Sequence, residues 1–266
     1  MRPSVLPVIA AVVLMGVDLS PATLRAFDHY VSLTEQRITA ERDGKAPLFW
    51  LERQSERVRA KTWERLRRGE TVVELVETRE NGRTVAIPNG RVHHWVATAL
   101  LPGVPADRVV GLVRDYAAYP KVFAPLMSRA SAIARTESRD VVALRTSVKK
   151  LINVVMDGDY VMEYRRLAPG RFATTTVATN LHQVINEGQA DERRQPTDQT
   201  QGYLWRYRMY CAVEERPEGT LDQCESLTLT RTVPGLVSWI VGGTVAGIPR
   251  DSLALMVSAA RKTLVK

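Results

Sequence analysis

Leu101–Pro125 reads L-P-G-V-P-A-D-R-V-V-G-L-V-R-D-Y-A-A-Y-P-K-V-F-A-P and combines the signals of a strand end, a turn and two helical pieces. Its Pro-Gly pair favours a turn. The segment that follows is predicted to form a helix over Ala106–Tyr116, in which Asp107 lies in the first turn and favours the positive helix end. A second, short helical piece is predicted around Tyr119–Pro125.

The elements on either side of this stretch follow a regular order. One strand, Val92–Leu101, precedes it and six strands come after it. We predict these six at Ser128–Glu137, Asp140–Lys149, Asn153–Arg166, Phe172–Ile185, Tyr203–Glu215 and Leu221–Val233. The polar segment Glu187–Gln201 is predicted to be a loop. A last helix begins at Pro249, because proline is favoured at the first helical position.

The first third of the chain is predicted to be an accessory layer. Two helices, Pro21–Asp43 and Ser55–Arg68, are each followed by a glycine, and a strand follows at Glu70–Arg79. Two helices of this length cannot bury a core by themselves. We therefore divide the chain into a leader at 1–21, a helical extension with one strand at 22–89 and a main domain at 90–266.

The leader has the pattern of a secretory signal. One positive charge precedes thirteen apolar residues, Val5–Val17, and small residues follow. A membrane span needs about 20 apolar residues, so a signal peptide fits this segment better. Export to the periplasm or beyond is therefore expected, and an uncleaved N-terminal anchor stays open. The alternative, a buried N-terminal helix, would be interrupted by Pro7.

The order of elements from Gly90 onward resembles the START-like, or polyketide cyclase (SRPBCC), superfamily. The stretch quoted above resembles the family's entry into its helices, and P-R-D-S-L-A-L-M-V-S-A-A-R-K-T-L (249–264) resembles its closing helix. The whole sequence is similar to uncharacterised exported bacterial members of this superfamily. The resemblance implies an α+β helix-grip fold, with a curved antiparallel sheet wrapped on a long C-terminal helix and a cavity for a hydrophobic small molecule or lipid. It transfers no activity.

Alternation along the strands selects candidates for the wall of that cavity. The strand Asn153–Arg166 has one apolar parity rich in Met and Tyr, and the last hairpin offers a second stripe, in which charged residues alternate with leucines. We predict as ligand-binding the residues Tyr160, Met162, Tyr164, Trp205, Tyr207, Met209, Glu225, Leu227, Leu229, Arg231, Leu253 and Met256. Arg231 would hold an anionic or carbonyl headgroup, or else is a rim residue or part of a salt bridge. Core packing is the alternative for the Met and Tyr stripe.

The glycine-broken apolar stretch Gly235–Ile248 lies between the last strand and the last helix. We predict that Trp239 and Ile240 form a lid or touch a membrane, with an ordinary buried connector as the alternative.

The pair His93 and His94 cannot form a chelate, because neighbouring residues of a strand face opposite sides. One of them faces a cavity and titrates near neutral pH, or both are structural; the sequence leaves both readings open. We expect no metal and no cofactor, and we assign no catalytic residue, because the motifs of nucleophilic, metal and nucleotide chemistry are missing. A carrier is the first hypothesis. A cyclase or aromatase type of enzyme and a non-catalytic interaction module are the alternatives.

The positive charge of the chain comes mostly from arginine. There are 37 basic and 29 acidic residues, and 30 of the basic residues are Arg. This composition favours contact with an anionic partner such as a membrane surface. It does not predict nucleic-acid binding, because basic runs and aromatic-studded basic motifs are absent from the sequence. The oligomeric state is not predicted.

The two cysteines are expected to be free thiols. A three-residue P-E-G loop would place Cys211 opposite Glu225 and send the two thiols to opposite sides of the sheet. A two-residue loop is the alternative register, and it would permit a disulfide.

Overall fold

The computed structural model describes residues 19–149, 153–197, 202–232 and 247–265. Nine of its strands form one antiparallel sheet, in the order β1-β4-β11-β10-β8-β7-β6-β5, with β9 pairing β8. The strands of this sheet are β1 (Val72–Leu75), β4 (Gly90–Leu101), β5 (Met127–Arg135), β6 (Arg139–Lys149), β7 (Asn153–Ala168), β8 (Arg171–Ile185), β9 (Arg193–Pro196), β10 (Leu204–Arg216) and β11 (Gly219–Arg231). A separate small hairpin pairs β2 (Arg79–Glu80) with β3 (Arg83–Thr84).

The described helices are α1 (Pro21–Arg42), α2 (Glu56–Arg67), α3 (Ala106–Val113), α4 (Tyr119–Val122) and α5 (Ile248–Leu264). Helix α1 begins where Ser20 accepts a hydrogen bond from the Thr23 backbone N–H at 3.1 Å, which is the usual chemistry of an N-cap. No helix in the described ranges is both long and apolar enough to cross a membrane.

The two faces of the sheet pack against different parts of the chain. On the inner face, Met209 and Val213 of β10 pack with Leu253 and Val257 of α5. On the outer face, side chains of α1 form a cluster with residues of β10 and β11; its members are Phe27, Tyr30, Val31, Trp205, Leu227 and Leu229. The predicted α+β architecture, an antiparallel sheet packed against a long C-terminal helix, is confirmed, and the N-terminal extension adds a third layer on the outer face.

The register of the last hairpin differs from the predicted one. Arg216 pairs with Gly219, so the loop has two residues, and Cys211 lies directly opposite Cys224. The two cysteines form a disulfide, and the expectation of free thiols is therefore wrong. The loop length explains the error, because a shift of one residue moves every side chain of a strand to the other face.

Three smaller differences concern boundaries. Helix α3 ends at Val113 rather than Tyr116. The predicted polar loop 187–201 contains the short strand β9. The predicted strand Glu70–Arg79 is divided into β1 and the start of the β2–β3 hairpin, whose turn has Asn81 and Gly82 at positive φ. The leader up to residue 18, together with Trp239 and Ile240, lies outside the described residues.

Candidate functional site

A cavity of about 160 Å³ lies between the inner face of the sheet and the beginning of α5. The side that comes from β6 and β7 is mainly apolar; it consists of Leu144, Thr146, Val148, Val154, Met156, Tyr160 and Met162. Strands β8 and β11 add hydroxyl groups to the lining, namely those of Thr176, Ser226, Thr228 and Thr230, which we call the hydroxyl wall. Helix α5 fills the other end of the inner face, where Val257 and Leu264 pack against the sheet.

Half of the residues predicted to bind a ligand line this cavity. They are Tyr160, Met162, Tyr207, Met209, Leu253 and Met256. The rings of Tyr160 and Tyr207 meet edge to face, with their centroids 5.8 Å apart. Tyr164 lies outside the lining, and its hydroxyl is 2.7 Å from the hydroxyl of Tyr116. Tyr116 in turn donates to the buried carboxylate of Asp140 at 2.7 Å. That a guest binds at these residues remains a prediction.

Five predicted residues are not in the cavity, and their assignment to its wall is corrected here. They are Trp205, Glu225, Leu227, Leu229 and Arg231. The first four lie on the outer face under α1, and Arg231 is half-buried opposite Gly90 at the end of β11. The alternation could not separate the two faces, because both are covered and every residue from Thr220 to Thr230 is buried.

The sequence analysis did not find the hydroxyl wall, because both faces of β11 are buried. The β11 members of the wall occupy the even positions 226, 228 and 230, which alternate with the leucines predicted to line the cavity. The signal that identifies them is the two-residue loop, because that register places Ser226 opposite Met209. Met209 in turn pairs with Thr176 of β8.

The two histidines face opposite sides of β4, as predicted. His93 lies on the inner face, and its Nε2 is 2.9 Å from Oγ1 of Thr230 in the hydroxyl wall. Burial and the nearby charge of Arg91 lower the pKa of His93 to about 4. His93 is therefore neutral at physiological pH and acts as a hydrogen-bond partner of the wall.

His94 belongs to a buried polar chain on the outer face. Its Nδ1 is 2.9 Å from the Tyr30 hydroxyl, and its Nε2 is 2.5 Å from Glu225 Oε1. The Tyr30 hydroxyl also accepts the backbone N–H of Thr78 at 3.0 Å. Tyr30, His94 and Glu225 therefore form one continuous chain of hydrogen bonds between α1, β4 and β11. This chain fastens α1 to the sheet.

The same carboxylate is held by an arginine of α1. Arg37 donates to Glu225 and also to Glu41, at 2.9 Å from the latter. Burial opposes ionisation of Glu225, but the hydrogen bond from His94 and the charge of Arg37 outweigh it and lower the pKa of Glu225 to about 2. The arrangement is therefore an anchor for α1, because no described cavity opens onto it.

A different carboxyl is buried on the inner face. Asp222 is 5% exposed and pairs in register with Val213 and Ala99, both members of the apolar cluster under α5. Burial raises the pKa of Asp222 to about 7. The cavity itself has no carboxyl or imidazole group among its described lining residues. Within the same described ranges, no cluster of His, Cys, Asp and Glu is arranged to hold a metal ion.

No family model and no curated protein matches the chain. Solved structures give likenesses of fold. A fragment of a STAR-related lipid transfer protein from Xanthomonas axonopodis is 16% identical, with a TM-score of 0.47, and the match covers 73% of this chain and 99% of that one. Human STARD10 is 12% identical, with a TM-score of 0.41 over 79% of this chain and 80% of its own.

A third solved structure is that of an aromatase/cyclase. The Zhui aromatase/cyclase from Streptomyces sp. R1128 is 14% identical, with a TM-score of 0.42 over 65% of this chain and 93% of its own. At these identities and TM-scores the likenesses support no conclusion about ligand or activity.

Proposed function

We propose that this chain binds a hydrophobic small molecule, or the apolar part of a lipid, in the cavity between the sheet and α5. The observation that carries the proposal is the cavity itself. The terminal helix leaves an unfilled space of about 160 Å³ at one end of an otherwise packed face. Protein interiors are normally packed closely enough to avoid such voids, so a space of this size in an apolar wall suits a guest.

The volume limits the size of the guest. An apolar cavity of about 150 Å³ accepts a benzene-sized molecule, whereas pockets for drug-sized ligands measure roughly 300–1,000 Å³. A single ring or the end of an acyl chain therefore fits the space as it stands. A longer lipid requires movement of the methionines, which adapt their shape at low energetic cost, or of the first turn of α5.

Export is part of the same proposal. The leader pattern supports it, and so does the pairing of Cys211 with Cys224, because disulfides persist in oxidising compartments and are rare in the cytosol. The net charge of +8 is compatible with a second partner, an anionic membrane surface from which a lipid would be taken.

The alternative functions have less support. General acid–base chemistry needs titratable groups that converge on a reacting atom. Glu225, His94 and Arg231 lie outside the cavity lining, and so does His93. The interaction-module hypothesis used the N-terminal helices, and α1 is buried against the sheet of its own chain.

Two measurements on the full chain test the proposal. Native mass spectrometry of protein purified from its own cell envelope is expected to show a retained hydrophobic molecule, and calorimetric titration with toluene is expected to show saturable binding. Met256→Trp fills the cavity and should abolish toluene binding, whereas Lys262→Trp adds the same side chain at an exposed position of the same helix and should not. Absence of both a retained molecule and toluene binding would overturn the proposal.

A further inference from the structure

The polarity of the cavity carries information about its guest beyond the proposed function. None of the described lining residues has a charged side chain. A carboxylate or ammonium group drawn into this space would lose its hydration without gaining an opposite charge, which is very unfavourable. The guest is therefore expected to be uncharged where it enters the cavity.

The hydroxyl wall gives the interior a polar side. Three of its members, Ser226, Thr228 and Thr230, occupy alternate positions of β11, whereas the lining from β6 and β7 is mainly apolar. Thr230 has a partner in His93. A purely hydrocarbon guest would cover this side without using its hydrogen-bonding capacity.

Three buried polar atoms in the described part of the chain have no hydrogen-bond partner, and all three lie in one row across the sheet. They are Thr176 Oγ1, Ser226 Oγ and Trp95 Nε1. The pairs Thr176 with Met209, Met209 with Ser226 and Ser226 with Trp95 are in register. Two of the three residues line the cavity.

A buried polar group without a partner is unfavourable, and native proteins satisfy nearly all of them. Thr176 and Ser226 are each 3% exposed, so bulk water does not satisfy them. They are two strand spacings apart, roughly 9–10 Å between their backbones, which makes them separate anchor points on either side of Met209. Rotation about the Cα–Cβ bond turns either hydroxyl toward the space beside it.

We infer that the cavity selects an uncharged guest that carries a hydrogen-bonding group, such as a hydroxyl or a carbonyl, and that either Ser226 or Thr176 binds this group while the hydrocarbon lies against β6 and β7. The inference rests on the proposed function and names the class of ligand. It replaces the headgroup role that the sequence suggested for Arg231.

Three ligands of similar size test it by isothermal titration calorimetry on the full chain. Toluene is apolar, p-cresol adds one hydroxyl, and benzoate carries a charge. The variant pair Ser226→Ala and Thr176→Val, combined in one protein, removes both hydroxyls at nearly constant shape. Ser131→Ala with Thr179→Val makes the same chemical changes at exposed positions and is the matched control.

The combined Ser226 and Thr176 variant is expected to bind p-cresol about threefold to tenfold more weakly, because a typical hydrogen bond is lost. Its affinity for toluene should be unchanged or higher, and benzoate should bind neither protein. Equal changes for toluene and p-cresol, or benzoate binding as tight as p-cresol binding, would overturn the inference and leave the proposed function standing. Failure of both toluene and p-cresol to bind the unmodified chain would overturn the proposed function itself.

Discussion

Replacing Asp222 by Asn should make the stability of the protein less dependent on pH. Asp222 lies on the inner face under α5, and burial raises its pKa from the ordinary 3.8 to about 7. Because the folded pKa is the higher one, the stabilising state is the protonated carboxyl. That contribution is fully present below pH 3.8 and is lost as the pH rises through about 7.

The size of the effect follows from the two pKa values. A difference of about 3 between them corresponds to ~4 kcal/mol at full ionisation. Between pH 4.5 and pH 8 the native chain should lose ~3 kcal/mol of unfolding free energy that Asp222→Asn does not lose. The amide does not titrate, so its own cost of burial is the same at every pH and cancels in this comparison.

Urea unfolding followed by tryptophan fluorescence at a series of pH values measures this difference. Asp28→Asn, at an exposed position of α1, is the control. Its unfolding free energy should differ from that of the native chain by the same amount at every pH. The unfolding free energies of Asp222→Asn and of the native chain could instead differ by the same amount from pH 4.5 to pH 8. That result would show that burial does not keep the carboxyl of Asp222 neutral.

Three further outcomes are expected. Glu225→Gln should lower the unfolding free energy by about 3 kcal/mol at neutral pH, because the native pKa of Glu225, about 2, lies below the ordinary 4.5. This stabilisation is present above pH 4.5 and is lost as the pH falls toward 2. In the same urea titrations, Glu80→Gln at an exposed ion pair should change the unfolding free energy little. Changing Cys211 and Cys224 together to Ser should cost about 3 kcal/mol by loss of a short closed loop, measured against the native chain with and without reductant. If Trp239 contacts a bilayer, Trp239→Ala should weaken co-sedimentation with anionic vesicles without lowering the melting temperature, and unchanged sedimentation would end that hypothesis.

The alternation of β7 predicted its cavity side correctly. Met162 and Tyr160 share the apolar parity of that strand, and both line the cavity. The polar parity of the strand includes exposed Asn153 and Glu163, so the contrast between the faces was visible in the sequence. Periodicity succeeds where one face of a strand meets water and the other does not.

The same reasoning failed for β11, where the structure buries both faces. One parity carries Leu227 and Leu229 under α1, and the other carries the hydroxyl wall. Leucine is more hydrophobic than threonine, so a prediction from hydrophobicity assigns Leu227 and Leu229 to the cavity face, whereas they lie on the outer face. Only the length of the hairpin loop, which local residue types did not determine, decides between the two faces.

The first helix of the chain packs against its last two strands. Helix α1 leaves the ribosome first, yet Arg37 meets its partner Glu225 only 188 residues later. A contact of this sequence separation cannot form until nearly the whole chain is available. If the chain is exported as proposed, the surface of β10 and β11 on which α1 packs is complete only after the last strand has crossed the membrane.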